Sequence, residues 1–368
     1  MTGWPKKTLE EVVDLRRGFD LPHHARVSGY YPVLTSGASD GWHNEGPIKG
    51  PGLVIGRATN LGQPTWSESD YWPLNTTLYA ASFHGNVPKW VFHLFEVLDL
   101  TGFDSGSVQP MLNRNYIAKL PITVPPLNDQ LAITEVLGAL DDKIAANVAI
   151  SNVTDVYLAT KLDALLRRGS VDVPLSTIAN TNELTRKPIA DEEIRYIDIA
   201  AVGIGTHTIP TPIDWDDAPG RARRALRRGD TLWSTVRPNR RSHSLNLSSD
   251  RDLVGSTGLA VLTPTTVGFA YLYEVTKRAE FSSYLETVAE GSAYPAVRAD
   301  RFGEAQVPLL QDAQLAAFES LAAPMREHLY SLSQENIQLA ATRDALLPQL
   351  MSGKLRVKDA EKTLAGVL

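Results

Sequence analysis

One phrase occurs twice in this chain, and the repetition constrains the fold more than any single motif. "GSVQPMLNRNY" begins at Gly106 and "GSAYPAVRADRF" at Gly291, and each leads into a Val-Pro step and a long apolar-periodic run. Other matches follow the same order. "KTLEEVVDL" from Lys7 answers "VPLSTIANT" from Val173, "PGLVIGRAT" from Pro51 answers "GDTLWSTVRP" from Gly229, and "NTTLYA" from Asn75 answers "GSTGLAVL" from Gly255. "VPPLNDQLAI" at Val124 and "VPLLQDAQLA" at Val307 close the two series. Repeats in conserved order outrank local propensity as a guide to architecture. At 368 residues the chain has room for two such copies, each with its own core.

Each copy divides in two. Residues 1–126 and 169–308 carry short β-rich runs, "LVIG", "TLYAAS", "RYIDIAAV" and "LAVLTP", broken by Gly, Pro, Asn and Asp. Residues 127–168 and 309–355 read as helix, and 356–368 as a C-terminal tail. From Leu127 to Arg168 there is no Pro and one internal Gly, Gly138. Ile133, Leu137, Leu140, Ile144 and Val148 recur at three- or four-residue steps, resumed by Leu158, Leu162 and Leu165. A continuous helix here would be on the order of 60 Å long. The second run places Phe318, Leu321, Met325, Leu329, Leu332 and Leu339 on one face, with Pro324 expected to kink or split it. Two isolated amphipathic helices must bury their stripes, and pairing as an antiparallel coiled coil does so. Asn147, Ser151 and Asn336 fall near that seam, and "RRGSVDVP" from Arg167 is the expected turn into the second half. The expected class is α+β: two mixed α/β globules separated by two long antiparallel helices, with a pseudo-two-fold internal repeat.

Catalytic signatures are scarce. Zero cysteines removes disulfides, thiolate zinc sites and cysteine nucleophiles. There is no phosphate-binding G-x-x-x-x-G-K-[ST] loop and no H-E-x-x-H, and the eight histidines are scattered, so neither a catalytic constellation nor a metal site is expected. The Asp then Glu-x-Lys pattern of many nucleases and the Asn/Asp-Pro-Pro-aromatic motif of amino-methyltransferases are also missing. No apolar run reaches the roughly 20 residues of a membrane helix, and "MTGWPKKTLEEV" has no signal-peptide core, so a cytoplasmic protein is expected.

Polar, aromatic and basic loops remain. "TSGASDGWHNEGPIKG" from Thr35 presents Trp42, His43, Asn44 and Lys49, followed by Arg57 and Asn60. "GRARRALRRGD" from Gly220 carries Arg221, Arg223, Arg224, Arg227 and Arg228, and "RPNRRSHS" adds Arg237, Asn239, Arg240 and Arg241. Arginine bonds phosphate or guanine edges bidentately and asparagine pairs with adenine, so these groups suit a DNA duplex. The net charge of -6 argues mildly against nucleic acid, but local distribution matters more than the sum. The Arg221 to Arg228 run reads equally as a solvated helix face paired with Asp214, Asp216 and Asp217, and Trp42 equally as a loop anchor.

The first half from Tyr30 to Ala80 resembles a target-recognition domain of the specificity (S) subunit of type I restriction-modification systems. "LPITVPPLNDQLAITEVLGALDDKIAAN" from Leu120 and "LAATRDALLPQLMSGKL" from Leu339 are similar to that family's two helical regions, and Arg-Asp-x-Leu-Leu-Pro before Leu-x-Ser-Gly is an unusual string. The resemblance spans nearly the whole chain. It implies a non-catalytic subunit with two target-recognition domains, each reading half of a split, asymmetric sequence in double-stranded DNA. The helices would set the unread spacer and dock two methyltransferase (modification) subunits, with restriction (translocase/endonuclease) subunits joining. S-adenosylmethionine would enter with the former and ATP with magnesium with the latter; this chain would hold no cofactor. "VPPL" becoming "VPLL", and Pro324 without a counterpart, set the two docking regions apart. At the two joints Gly106 and Gly291 are expected to serve turns, while Arg114 and Arg298 are placed to face DNA backbone or a partner. Two other readings stay open: a self-contained DNA-modifying enzyme with diverged motifs, and a coiled-coil adaptor for proteins.

Overall fold

The computed structural model describes residues 3–37, 39–103, 111–189 and 191–364; Gly106 to Pro110 of the first joint lie outside them. The chain forms two compact units, Met1–Ala146 with Asn336–Leu368, and Asn147–Glu335. The division falls inside the two long helices rather than at their ends, so each unit contains one β-rich globule and half of each helix.

Unit 1 runs β1 (Lys6–Thr8), α1 (Leu9–Val12), β2 (Asp14–Arg17), β3 (Tyr31–Leu34), β4 (Ser39–His43), β5 (Gly52–Gly56), β6 (Pro64–Ser67), β7 (Trp72–Pro73), β8 (Thr77–Ser82), α2 (Pro88–Val97), α3 (Arg114–Ile117), β9 (Pro121–Thr123) and the first half of α4 (Leu127–Leu166). Strands β2, β8, β5 and β6 form one antiparallel sheet, β4, β3 and β7 a second, and β1 pairs with β9 at the mouth of the helix. The "LVIG" run is apolar without alternation because β5 is central, and all five of its residues are buried. The Thr8 N–H donates to the Glu11 carboxylate at 2.6 Å, which satisfies an orphan donor at the start of α1. Trp90 of α2 packs with Leu53 and Ile55 in a core that also holds Ile133, Leu137 and Leu140.

Unit 2 takes the second half of α4 and then β10 (Ser170–Pro174), β11 (Ala179–Thr181), β12 (Glu193–Ile197), β13 (Ile213–Asp214), β14 (Ala222–Ala225), β15 (Thr231–Ser234), β16 (His243–Leu245), β17 (Leu253–Ser256), β18 (Leu259–Pro264), α5 (Phe269–Thr276), α6 (Ala279–Val288), α7 (Ala299–Glu304), β19 (Gln306–Leu310) and the start of α8 (Asp312–Met351). The plan repeats that of unit 1. Strand β10 pairs with β19, the sheet β11-β18-β15-β16 repeats β2-β8-β5-β6, and β13-β12-β17-β14 forms the second sheet. The pairs read from the sequence are thus structural equivalents: β5 with β15, and β8 with β18.

Within unit 2 the helices run antiparallel. Asn147 Nδ2 donates to Glu335 Oε2 at 2.7 Å, while Leu158 and Leu162 share a core with Phe318 and Ala322. In unit 1, Arg343 Nη1 donates to Asp141 Oδ1 at 3.0 Å, and Leu137 and Leu140 share a core with Leu339, Leu346 and Leu350. Ile144 and Leu165 are partly buried against these cores, Leu332 is buried, and Leu329 is half-buried.

Several expectations need correcting. Val148 is 47% exposed and Asn147, beside it, is the buried residue. Pro324 does not split α8: Phe318 and Ala322 before it and Arg326 after it are all buried, so packing on both sides holds the helix in register despite the lost N–H. "SVDVP" is strand β10 rather than a turn, and the tail contains a further helix, α9 (Val357–Leu364), whose Ala360 is buried in the core of unit 1. The Arg221 to Arg228 run is no helix. It contains strand β14, and its acid partners are Glu183 for Arg227 and Glu327 for Arg228, not Asp214, Asp216 or Asp217.

Candidate nucleic-acid interface

In unit 1 the β3 to β4 hairpin separates neighbours of opposite fate. Register pairs Tyr31 with His43 and Pro32 with Trp42. Alternation along the strand turns His43 inward, 5% exposed, where its Nδ1 meets the Val27 N–H at 3.1 Å and its ring lies edge-on to Trp72 at 5.1 Å. Trp42 points out at 58% exposure, Asn44 is exposed, and Tyr30, just before β3 at the same open end of the hairpin, is 91% exposed. Lys49 is solvated but tied to Asp70 at 2.6 Å, an ion pair that raises the lysine and lowers the carboxylate from their usual values through the hydrogen bond they share. Arg57 is half-buried and its backbone N–H is fixed to Thr76 O at 2.9 Å. Asn60, in the left-handed region at φ 46°, donates Nδ2 to Ser36 O at 2.9 Å and so ties the loop after β5 to the loop after β3.

The equivalent loop in unit 2, after β15, is more elaborate. Pro238, Asn239 and Arg240 make one 3-10 turn bracketed by Arg237 at φ 52° and Arg241 at φ 54°. Left-handed backbone is uncommon outside glycine, costs energy, and persists where the surroundings enforce it. Here Arg237 N–H donates to Pro295 O at 2.7 Å, Arg241 N–H to Pro238 O at 2.8 Å, and Arg241 Nη2 to Lys277 O at 3.0 Å. His243, the next anchor, stacks on Trp233 at 4.7 Å, and burial pushes its imidazole down to about 4. Asn239 and Arg240 are left at the exposed tip.

Arg221, Arg237 and Arg240 line one cleft of about 450 Å³ with Asp198, Ser234, Ser242 and Tyr294. Arg221 Nε donates to Tyr196 Oη at 3.1 Å and Arg237 lies over the Tyr294 ring at 4.7 Å; none of the three forms an ion pair with an acid among the described residues. Asp198 faces the same cleft but accepts from the Ala201 N–H at 2.9 Å. Arg224 is elsewhere: it sits at the bulge of β14, half-buried, and burial pulls its guanidinium below the usual arginine value. Arg114 and Arg298 turn to their own unit, the first donating to Leu15 O at 3.2 Å and the second pairing with Glu290 at 2.5 Å.

Sequence reading missed Tyr294, which stands 69% exposed within "GSAYPAVRADRF", and Tyr30. An aromatic between a glycine and a proline on a polar loop was the available signal. Gly291 does serve a turn, at φ 95°. Gly37, Ser39 and Gly41 have nucleophile-elbow spacing, but Ser39 opens a strand instead of standing on a strand-to-helix turn, and its Oγ donates to Gly41 O at 3.3 Å. Among the described residues no group of three His, Asp or Glu could hold a metal, and no helix is long and apolar enough to cross a membrane.

Comparison with known proteins gives a consistent result. Residues 1–153 match the family described as Type I restriction modification DNA specificity domain. Over 154 residues the chain is 25% identical to the Type I restriction enzyme EcoprrI specificity subunit of Escherichia coli, a match covering 40% of this chain and 38% of that protein. In fold it is similar to the S subunit of a Type-I restriction-modification system from M. genitalium, with a TM-score of 0.66 at 14% identity over 95% of this chain and 96% of that one.

Proposed function

We infer from its matched domain and its fold that the chain belongs with the type I restriction-modification specificity (S) subunits and is the DNA-reading and scaffolding component of a restriction-modification complex. The observation that carries this reading is the cleft of unit 2. Several arginines of that unit, Arg227, Arg228, Arg278 and Arg326 among them, are neutralised by nearby acids, whereas Arg221, Arg237 and Arg240 converge on one surface without an acid partner among the described residues, as a polyanion requires. In unit 1, exposed Trp42, Asn44 and Tyr30 are the counterparts we assign to the other half of a divided target. Buried His43 is left out of the interface, and Arg57 and Asn60 support the loop after β5 from within.

The reaction belongs to partners. A methyltransferase subunit would bring S-adenosylmethionine and take the target adenine out of the stack. A restriction subunit would bring ATP and magnesium. Unit 2's portion of α4 exposes Ile150, Val153, Val156 and Tyr157, an apolar face, and we assign it to the methyltransferase subunit. Cells expressing the chain with a methyltransferase subunit should carry a split methylated-adenine motif that disappears when this chain is deleted. Methylation that persists without the chain, or activity of the purified chain alone with S-adenosylmethionine or magnesium, would overturn the reading.

A further inference from the structure

The two loops that build the cleft of unit 2 are far apart in sequence and stitched together by backbone. Glu290 and Ala296 exchange N–H to O bonds at 2.9 Å, closing residues 291–295 into a loop that Gly291 can enter at φ 95°. Val297 N–H donates to Thr235 O at 2.8 Å and Arg237 N–H to Pro295 O at 2.7 Å, so this loop and the 3-10 turn move as one piece. Their side chains meet where Arg237 lies over the Tyr294 ring.

The three cleft arginines are therefore not alike. Arg240 is exposed at the tip with no side-chain partner among the described residues, and Arg221 is tethered through Nε alone. Arg240 and the terminal nitrogens of Arg221 are free to turn toward a phosphate. Arg237 has its backbone locked in the left-handed region and its guanidinium confined against an aromatic face, which restricts the orientation of its donor fork. Phosphate also takes an arginine fork, but it presents its oxygens over a wide range of directions and so does not require such confinement. A base edge demands it, and the edge that offers two acceptors to an arginine fork is O6 and N7 of guanine in the major groove.

We infer that Arg237, positioned by Tyr294, reads a guanine in the half-site bound by unit 2, while Arg240 and Arg221 hold the flanking phosphates. The inference rests on the function proposed above and adds the base and its reader. The test is selection from randomised duplexes with the assembled chain and methyltransferase subunit, followed by sequencing of the bound pool. The wild type enriches a split motif with a guanine in one half. Arg237→Lys and Tyr294→Ala each lower the preference for that guanine roughly ten-fold and leave the other half-site intact, which serves as an internal control for folding and assembly. Tyr294→Phe keeps the ring and keeps the guanine. Arg240→Gln weakens binding to every sequence, flattens the salt dependence and changes no position. A wild-type motif that survives both Arg237→Lys and Tyr294→Ala overturns the assignment alone. A wild-type pool with no enriched motif overturns it together with the proposed function.

Discussion

Arg326 of α8 and Glu274 of α5 form an ion pair inside unit 2, with the glutamate side chain fully buried and the arginine Nε donating to its Oε1 at 2.8 Å. The arginine also lies over the Tyr273 ring at 4.7 Å and reaches Asp155 of α4 at 2.6 Å, and Lys277 joins both acids at 3.0 Å. The Lys277 carbonyl in turn receives Arg241, so the charge cluster is continuous with the turn that presents Asn239 and Arg240.

Breaking this pair from one side leaves the buried charge with a single partner, Asp155 for Arg326 or Lys277 for Glu274. Glu274→Gln and Arg326→Met should each cost about 2 to 3 kcal/mol in urea unfolding of unit 2, below the cost of a fully stranded charge, and the double substitution less than the sum of the two. Single variants within 1 kcal/mol of the wild type would show that water already reaches the pair.

Acid should loosen the same unit through His243. Its imidazole is held down to about 4 by burial, with lesser opposing help from the Arg241 carbonyl, against about 6.5 in the unfolded chain. The folded state therefore favours the neutral ring. Its contribution is complete above the unfolded value and is lost as pH falls from there toward 4, on the order of 2 kcal/mol between pH 7 and pH 5. Urea midpoints at the two pH values should differ less in His243→Phe than in the wild type; an equal difference would place the titration elsewhere.

Adjacent residues of β4 should respond oppositely. Trp42→Ala should leave stability within about 0.5 kcal/mol and weaken recognition of the half-site assigned to unit 1. His43→Ala should cost about 1 to 3 kcal/mol, since it removes a buried ring that packs on Trp72 and bonds the Val27 backbone. Thermal melts beside the duplex selection separate the two effects.

Charge on the exposed face of α4 should uncouple assembly from folding. Val153 is 70% and Val156 68% exposed, so Val153→Glu with Val156→Glu should fold normally and retain both cores. Co-purification with the methyltransferase subunit should fall sharply. Undiminished co-purification would move the docking site off this face.

The duplication was legible because both copies keep the same apolar rhythm around the same turns: "LVIG" and "TLWS" became the equivalent strands β5 and β15, and Leu137, Leu140, Leu158 and Leu162 all lie in cores. Periodicity could not tell Val148 from Asn147, because the polar residue is buried by a hydrogen bond to Glu335, and bonding partners leave no trace in hydropathy. Pro324 misled for a related reason: intrinsic propensity is local, whereas Phe318, Ala322 and Arg326 fix α8 through tertiary contacts. The candidate interface was half visible. Composition picked out Arg237 and Arg240, but only the fold separates them from Arg224, Arg227 and Arg228, and only the fold brings Tyr294 to Arg237.

The division inside α4 and α8 has a consequence for synthesis. Unit 2 is one uninterrupted stretch, Asn147–Glu335, whereas unit 1 is made from the two ends of the chain. As the polypeptide leaves the ribosome, the first globule emerges early but lacks Leu339, Leu346, Leu350 and Ala360, which complete its core. The globule made later can therefore close first, and the one made first must wait for the segment from Asn336 to Leu368. A nascent chain cut short between Glu335 and Leu339 would carry an intact second unit and an unfinished first one.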